Sequence, residues 1–213
     1  MRNVLLLACL LGCAAAAAQQ PKKMTKVEVI LQSPGVPEGS FASKPKVMYR
    51  AGNQYCRIEE APDPDHGIHG LMIINEPDYW MVNRLAKTAR HGLDPGPTFN
   101  CHLPIFADES LDEDGKVIRQ LEFGLELEFF KSKGAAPEKG PVLQTKETMV
   151  YRAKVGDVAL ALFTYGTPER PLLVARQRGE KNDLFWYSGY GETDFDPKLF
   201  AKPENVKVED SKP

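Results

Sequence analysis

The chain has 213 residues, 27 Lys and Arg against 29 Asp and Glu, and a hydrophobic share of 42%. So even a charge balance gives no basic face for nucleic acid, and the apolar share is that of an ordinary folded core. The length suits one domain, or at most two small ones.

The first segment carries the strongest signal. Arg2 is followed by the apolar run Val4-Leu5-Leu6-Leu7-Ala8-Cys9-Leu10-Leu11 and then by small residues up to Ala18. A basic start, a short apolar stretch and a small-residue end read as a secretory signal peptide. The run is too short for a permanent membrane anchor, which needs about 20 residues. Two processing routes stay open. Ala16-Ala17-Ala18 offers plain cleavage before Gln19, the preferred reading, while Leu10-Leu11-Gly12-Cys13 resembles a lipobox that would lipidate Cys13. The expected organisation is a signal peptide at 1–18, a polar leader at 19–25 and a single domain at 26–213. The chain is expected outside the cytoplasm, in the periplasm, or at the outer membrane through a lipidated Cys13. Export removes ATP- and NADH-dependent chemistry from the options.

Short strand-type segments follow. Val27 to Leu31 is rich in branched residues and ends at a loop with Pro34 and Pro37, which cannot extend a hydrogen-bonded ladder. Residues 46–50 and 54–59 flank Ala51-Gly52-Asn53 and read as a hairpin. Leu71-Met72-Ile73-Ile74 is continuously apolar, as in a strand covered on both faces; residues 79–83 return after the turn at 75–78. Residues 87–90 start another strand that stops before the turn at 94–97. Over 117–133 the period changes. Ile118, Leu121, Leu125 and Phe129 lie on one helical stripe, and Gly134 is a helix stop. The same stretch alternates Leu121, Phe123, Leu125 and Leu127 with Glu122, Gly124, Glu126 and Glu128, so strand stays open beside the favoured helix. Strands resume at 148–153, 158–164, 172–176 and 184–188, the last two joined by a polar turn at 177–183. Asp196-Pro197 caps one helical turn. Hairpins in series favour an antiparallel sheet. The fold class is mainly β (α+β): a curved antiparallel sheet forming an incomplete β-barrel, covered by one or two helices.

The motifs Tyr-Arg-x-Gly-Asn-x-Tyr-x-Arg-Ile-Glu at 49–59, Asn-Glu-Pro-Asp-Tyr-Trp-Met-Val-Asn at 75–83 and Asp-Pro-Lys-Leu-Phe-Ala-Lys-Pro-Glu-Asn-Val at 196–206 resemble the LolA-like lipoprotein-carrier family of the bacterial periplasm. The resemblance implies a half-barrel wrapped round an apolar cavity. It also implies carriage of an acyl chain, a lipid or a lipoprotein without covalent chemistry, and peripheral contact with a membrane.

No catalytic residue is assigned. There is no Gly-x-Ser-x-Gly elbow, no glycine-rich phosphate loop, and the Cys101-His102 adjacency does not by itself place a base beside a thiol. No cofactor is expected. Asp63-Pro64-Asp65-His66-Gly67-Ile68-His69 is the strongest metal motif, with His66 and His69 as weak candidate ligands; a polar surface loop is the favoured reading. The acidic stretch from Ser110 misses a calcium loop, because Leu121 stands where the twelfth-position Glu belongs. Cys56 and Cys101 would form one disulfide in an oxidising compartment, or remain two buried thiols. Tyr49, Tyr55, Trp80, Tyr151, Phe163 and Trp186 are candidates for lining a ligand cavity, against the plainer reading as core or cross-strand pairs. An interaction module of the envelope with a self-filled core is the alternative function, and a metal-dependent exported enzyme using His66 and His69 a weaker third.

Overall fold

The structure, a computed structural model, describes residues 21–34, 36, 37, 40, 43–93 and 101–210. The segment read as a signal peptide, Cys13 and the turn expected at 94–97 lie outside the described residues. The fold is mostly β: one open sheet and two helices. The first meander is β1 (Lys23–Gln32), β2 (Lys46–Ala51), β3 (Tyr55–Glu60), β4 (Gly70–Asn75), β5 (Asp78–Asn83) and β6 (Thr88–Leu93). Two helices follow, α1 (Glu113–Ile118) and α2 (Glu126–Ser132). The second meander is β7 (Glu138–Lys139), β8 (Met149–Val155), β9 (Val158–Tyr165), β10 (Arg170–Arg178) and β11 (Lys181–Asp194), and β12 (Lys207–Asp210) comes last.

The spatial order is β12-β6-β5-β4-β3-β2-β1-β11-β10-β9-β8-β7. Neighbours in sequence pair as antiparallel hairpins, which close at low entropic cost. The two meanders meet along β1 and β11, from Lys23 opposite Asp194 to Gln32 opposite Leu184. β1 starts at Lys23, inside the segment read as a polar leader. β12 lies parallel to β6 at the sheet's far edge. The polar turn expected at 177–183 is shorter than its composition suggests: Arg178 still pairs with Lys181 and Gln177 with Asn182.

The sheet has two apolar faces because its strands alternate side chains with period two. On the concave face Val27, Val29, Leu160, Leu162 and Val174 join one buried cluster with Ile118, Leu121, Phe129 and Phe130. On the convex face the C-terminal segment runs across β3–β6. A 3-10 turn at Pro197–Phe200 is capped by Asp196, whose carboxylate accepts from Lys198 N at 3.0 Å. It buries Phe200, which stacks on Phe195 and meets Tyr55 edge-on. Farther on, Val206 and Val208 pack on Leu71, Ile73, Trp80, Val82 and Ala89. The unbroken apolar run of β4 is thereby explained: Leu71 and Ile73 sit under the C-terminal segment, and Met72 and Ile74 face the trough.

One expectation needs correction. The stretch 117–133 is neither one helix nor a strand. α1 ends at Ile118, and Leu121 to Leu125 form a turn before α2. Gly124, at φ +82° in the left-handed region, breaks the helix where an L-residue would be strained. The apolar stripe still works across the break, since Ile118, Leu121 and Phe129 are all buried in the main cluster.

Candidate functional site

Strand register builds the site. Met48 faces Ile58, Ile58 faces Met72, Met72 faces Met81, and Met81 faces Arg90. These residues share one face by parity, so they form a row across the trough, which Glu209 of β12 extends. Burial fades along it. Met48 is 2% exposed; Ile58 and Met72 still pack against the main cluster; Met81 is 58% exposed. Above the row runs the segment 101–108, with Leu103, Ile105 and Phe106 pointing inward, and Phe123 and Phe185 close the side toward β11. Between them lies a cavity of about 1270 Å³. That exceeds the usual volume of a small-molecule pocket, roughly 300–1,000 Å³.

The roof is fastened at several points. Leu103 O accepts from Phe123 N at 3.0 Å, and Leu121 O from Ile105 N at 2.9 Å, a short antiparallel pairing. Cys56 of β3 and Cys101 are joined as a disulfide with their Cα atoms 6.2 Å apart. Arg50, 7% exposed, donates to Glu122 at 2.6 Å and to the Cys101 carbonyl at 3.1 Å. A buried charge survives this way, by a close partner and further hydrogen bonds. Behind the roof Glu126, fully buried, accepts from Gly124 N at 2.9 Å and Tyr187 Oη at 2.7 Å. Burial pushes its carboxyl up to about 7.

The polar wall residues are largely tied. Arg176 lies 4.3 Å over the Phe106 ring and pairs with Glu109 at 2.5 Å and with Asp108 and Asp183. Lys46 faces Glu60 across the β2–β3 register, and its Nζ donates to the Lys44 carbonyl at 3.2 Å. Burial lowers the Lys46 amine to about 8, against the pull of Glu60, and burial raises the Glu60 carboxyl.

None of the six aromatic candidates lines this cavity. Tyr49 and Tyr55 pack on the convex side around Phe200. Trp80 is in the convex cluster, stacked on His91 at 5.3 Å. Phe163 and Trp186 both pair with Leu173, on the face opposite Leu162 and Tyr187. Tyr151 is on the concave face but buried in the main cluster, with its hydroxyl donating to Glu169 at 2.7 Å. Parity is the reason in the first meander: Tyr49, Tyr55 and Trp80 each neighbour a trough-face residue, Met48, Cys56 and Met81, and so point away from that face. The signal that finds Met48, Ile58, Met72 and Met81 is the hairpin register counted from the turns.

The four histidines do not converge. His66 meets Asp63 at 2.7 Å, His69 meets Glu59 at 3.3 Å, His91 meets Asp78 at 2.6 Å and His102 meets Glu122 at 2.8 Å. Among the described residues no three His, Cys, Asp or Glu side chains gather as a metal site. Among them, too, no helix is long and apolar enough to cross a membrane. Asp112, from the acidic stretch weighed as a calcium loop, caps α1 by accepting from Gly115 N at 2.7 Å.

No family model matches the sequence, and no curated protein matches it either. Solved structures do match by shape. An uncharacterized conserved protein from Thermus thermophilus aligns over 88% of this chain and 90% of its own, at 12% identity and a TM-score of 0.50. PNGF-II aligns over 89% of this chain but 32% of its own, at 8% identity and a TM-score of 0.38. These likenesses are ones of fold, and a LolA superfamily protein, NE2245 from Nitrosomonas europaea, is among them: it aligns over 86% of this chain and 91% of its own, at 11% identity and a TM-score of 0.36.

Proposed function

We propose that this chain is an exported, non-enzymatic binding or carrier domain for a hydrophobic ligand, an acyl chain, lipid or lipoprotein of the bacterial envelope. The observation that carries the reading is the cavity of about 1270 Å³ with Met48, Ile58, Met72, Met81, Phe106 and Phe185 in its walls. Its capacity suits a long alkyl chain, and burying such a chain contributes roughly 0.8 kcal/mol per methylene. Export rests on the basic-apolar-small pattern of the first eighteen residues, with plain cleavage before Gln19 preferred to lipidation at Cys13. A self-filled interaction module is less well supported, because its concave face would have to be packed by its own side chains along the full width of the sheet. A metal enzyme using His66 and His69 is less well supported still, since each histidine has its own carboxylate partner.

The test is binding of a pure hydrocarbon. Diphenylhexatriene, which fluoresces on leaving water, should bind the purified chain saturably with about one site, and organic extracts of protein isolated from its native envelope should contain lipid. No saturable binding together with lipid-free protein would reject the carrier reading. Intrinsic tryptophan emission is a poor reporter here, since Trp80 and Trp186 lie on the convex face.

A further inference from the structure

Resting on the carrier reading, we infer that the ligand is a single-chain amphiphile with an anionic head group, such as a fatty acid, and that Arg90 receives the head. The cavity is graded from one end to the other. At its inner end Phe106 is 1% exposed and meets Phe185 edge-on; at the β6 end Met81 is 58% exposed. An amphiphile buries its tail where water is excluded and leaves its head where water remains. The gradient therefore sets a direction, with the tail toward Phe106 and the head past Met81. The next residue in the row is Arg90, directly opposite Met81 in the β5–β6 register, which puts their Cβ atoms about 5 Å apart. Its chain neighbours Ala89 and His91 belong to the convex side, Ala89 in the convex cluster and His91 stacked on Trp80. By parity Arg90 projects from the trough face, and there it lines the cavity.

Arg90 is exposed, and among the described residues it forms no hydrogen bond or ion pair. The acid beside it in the register, Glu209 of β12, is held by Lys207 at 3.2 Å. Deeper in the cavity the cations are engaged: Lys46 donates to the Lys44 carbonyl and faces Glu60, Arg176 is held by three carboxylates, and Arg119 donates to the Ala107 carbonyl. Arg90 thus combines reach into the cavity, a place at its wet end and a charge without a counter-charge. Its apolar stem can lie along the row while the guanidinium stays in water, and the planar guanidinium presents a carboxylate with two parallel N–H donors. Such charge-assisted bonds are about twice as strong as neutral ones, so an alcohol head gains less. An amine head meets a like charge.

The experiment displaces diphenylhexatriene from the full chain at neutral pH with dodecanoate, dodecan-1-ol and dodecylamine, which share one tail length. Dodecanoate should act at a concentration at least about tenfold below dodecylamine, with the alcohol between them. Arg90→Gln, which removes the charge, should bring dodecanoate and dodecan-1-ol within about twofold of each other. Arg90→Lys should keep the native order, and Arg90→Glu should put dodecylamine first. Diphenylhexatriene carries no charge, so its own affinity should stay within about twofold in all three variants. Dodecylamine or dodecan-1-ol equal to or better than dodecanoate on the native chain, or an Arg90→Gln protein that still prefers the acid, overturns the anionic head and leaves the carrier reading standing. An Arg90 variant that loses diphenylhexatriene overturns the assignment too, since Arg90 would then support the cavity itself. No binding to the native chain by diphenylhexatriene or by any of the three overturns both readings.

Discussion

Two halves of one concave face are treated differently. Over β8–β10 the helices α1 and α2 bring Ile118, Phe129 and Phe130 down onto Tyr151, Leu162 and Val174, and that half is packed shut. Over β4–β6 the strands offer Met72, Met81 and Arg90, and the roof stops short, leaving Met81 58% exposed. The sheet is the same, and so is the alternation. The difference is how far the chain between the two meanders reaches. Closing one half lets the other remain open, because a core of this size already supports the fold.

The largest expected effect breaks the closed half. Phe130→Ala removes a fully buried ring and should cost about 3–5 kcal/mol of stability, read by urea denaturation with an unchanged slope. A loss below about 1 kcal/mol would mean that the helices do not seal that side, and the contrast between the halves would fail.

The closed half also carries a pH dependence. Glu126 is held up to about 7 by burial, against an ordinary value of 4.5, with Gly124 N, Tyr187 and Tyr190 partly offsetting the rise. A carboxyl that binds its proton more tightly when folded contributes stability that is complete below about pH 4.5 and is lost as pH rises toward 7. The size is on the order of 3 kcal/mol, from the gap between the two values. Unfolding free energies at pH 5, 6 and 7 should fall more steeply for the native chain than for Glu126→Gln. Parallel profiles for the two would show that this carboxyl does not titrate in that window.

Legibility in the sequence follows the same divide. The meanders can be read because branched and aromatic residues alternate between glycine and proline turns, and because Asp196-Pro197 is a local cap. The segment 117–133 cannot, since Leu121 to Leu127 satisfies periods of two and of nearly four at once, and the choice is made by Gly124 at positive φ. β12 escapes a reading of the sequence because a short parallel edge strand is fixed by β6 and not by its own four residues. The curvature of a hairpin-built sheet announces a cavity, yet Tyr49, Tyr55 and Trp80 are the wrong aromatics to look to for its lining, which takes Phe106, Phe123 and Phe185 instead. Residues such as Tyr55 and Trp80 are large because the C-terminal segment covers them. An unfilled space leaves no such mark in composition: Met72 and Met81 read as ordinary strand residues until the register sets them side by side.

The smallest expected effect on stability is the sharpest probe of the open half. Met81 is 58% exposed in the cavity wall, so Met81→Asp should change the unfolding free energy by no more than about 0.5 kcal/mol, as for other surface positions. The same carboxylate, set opposite Arg90 across the register, would be desolvated by any hydrocarbon lying along the row, and its attraction to that cation offsets only part of a penalty of several kcal/mol. Affinity for diphenylhexatriene should therefore fall at least about tenfold while Phe130→Ala protein, at a temperature where it remains folded, binds close to normally. The two variants thus dissociate stability from binding in opposite directions. If Met81→Asp instead destabilises the chain as Phe130→Ala does, β5 is packed on its concave side and the open half is not open; if it leaves binding untouched, the ligand does not reach β5.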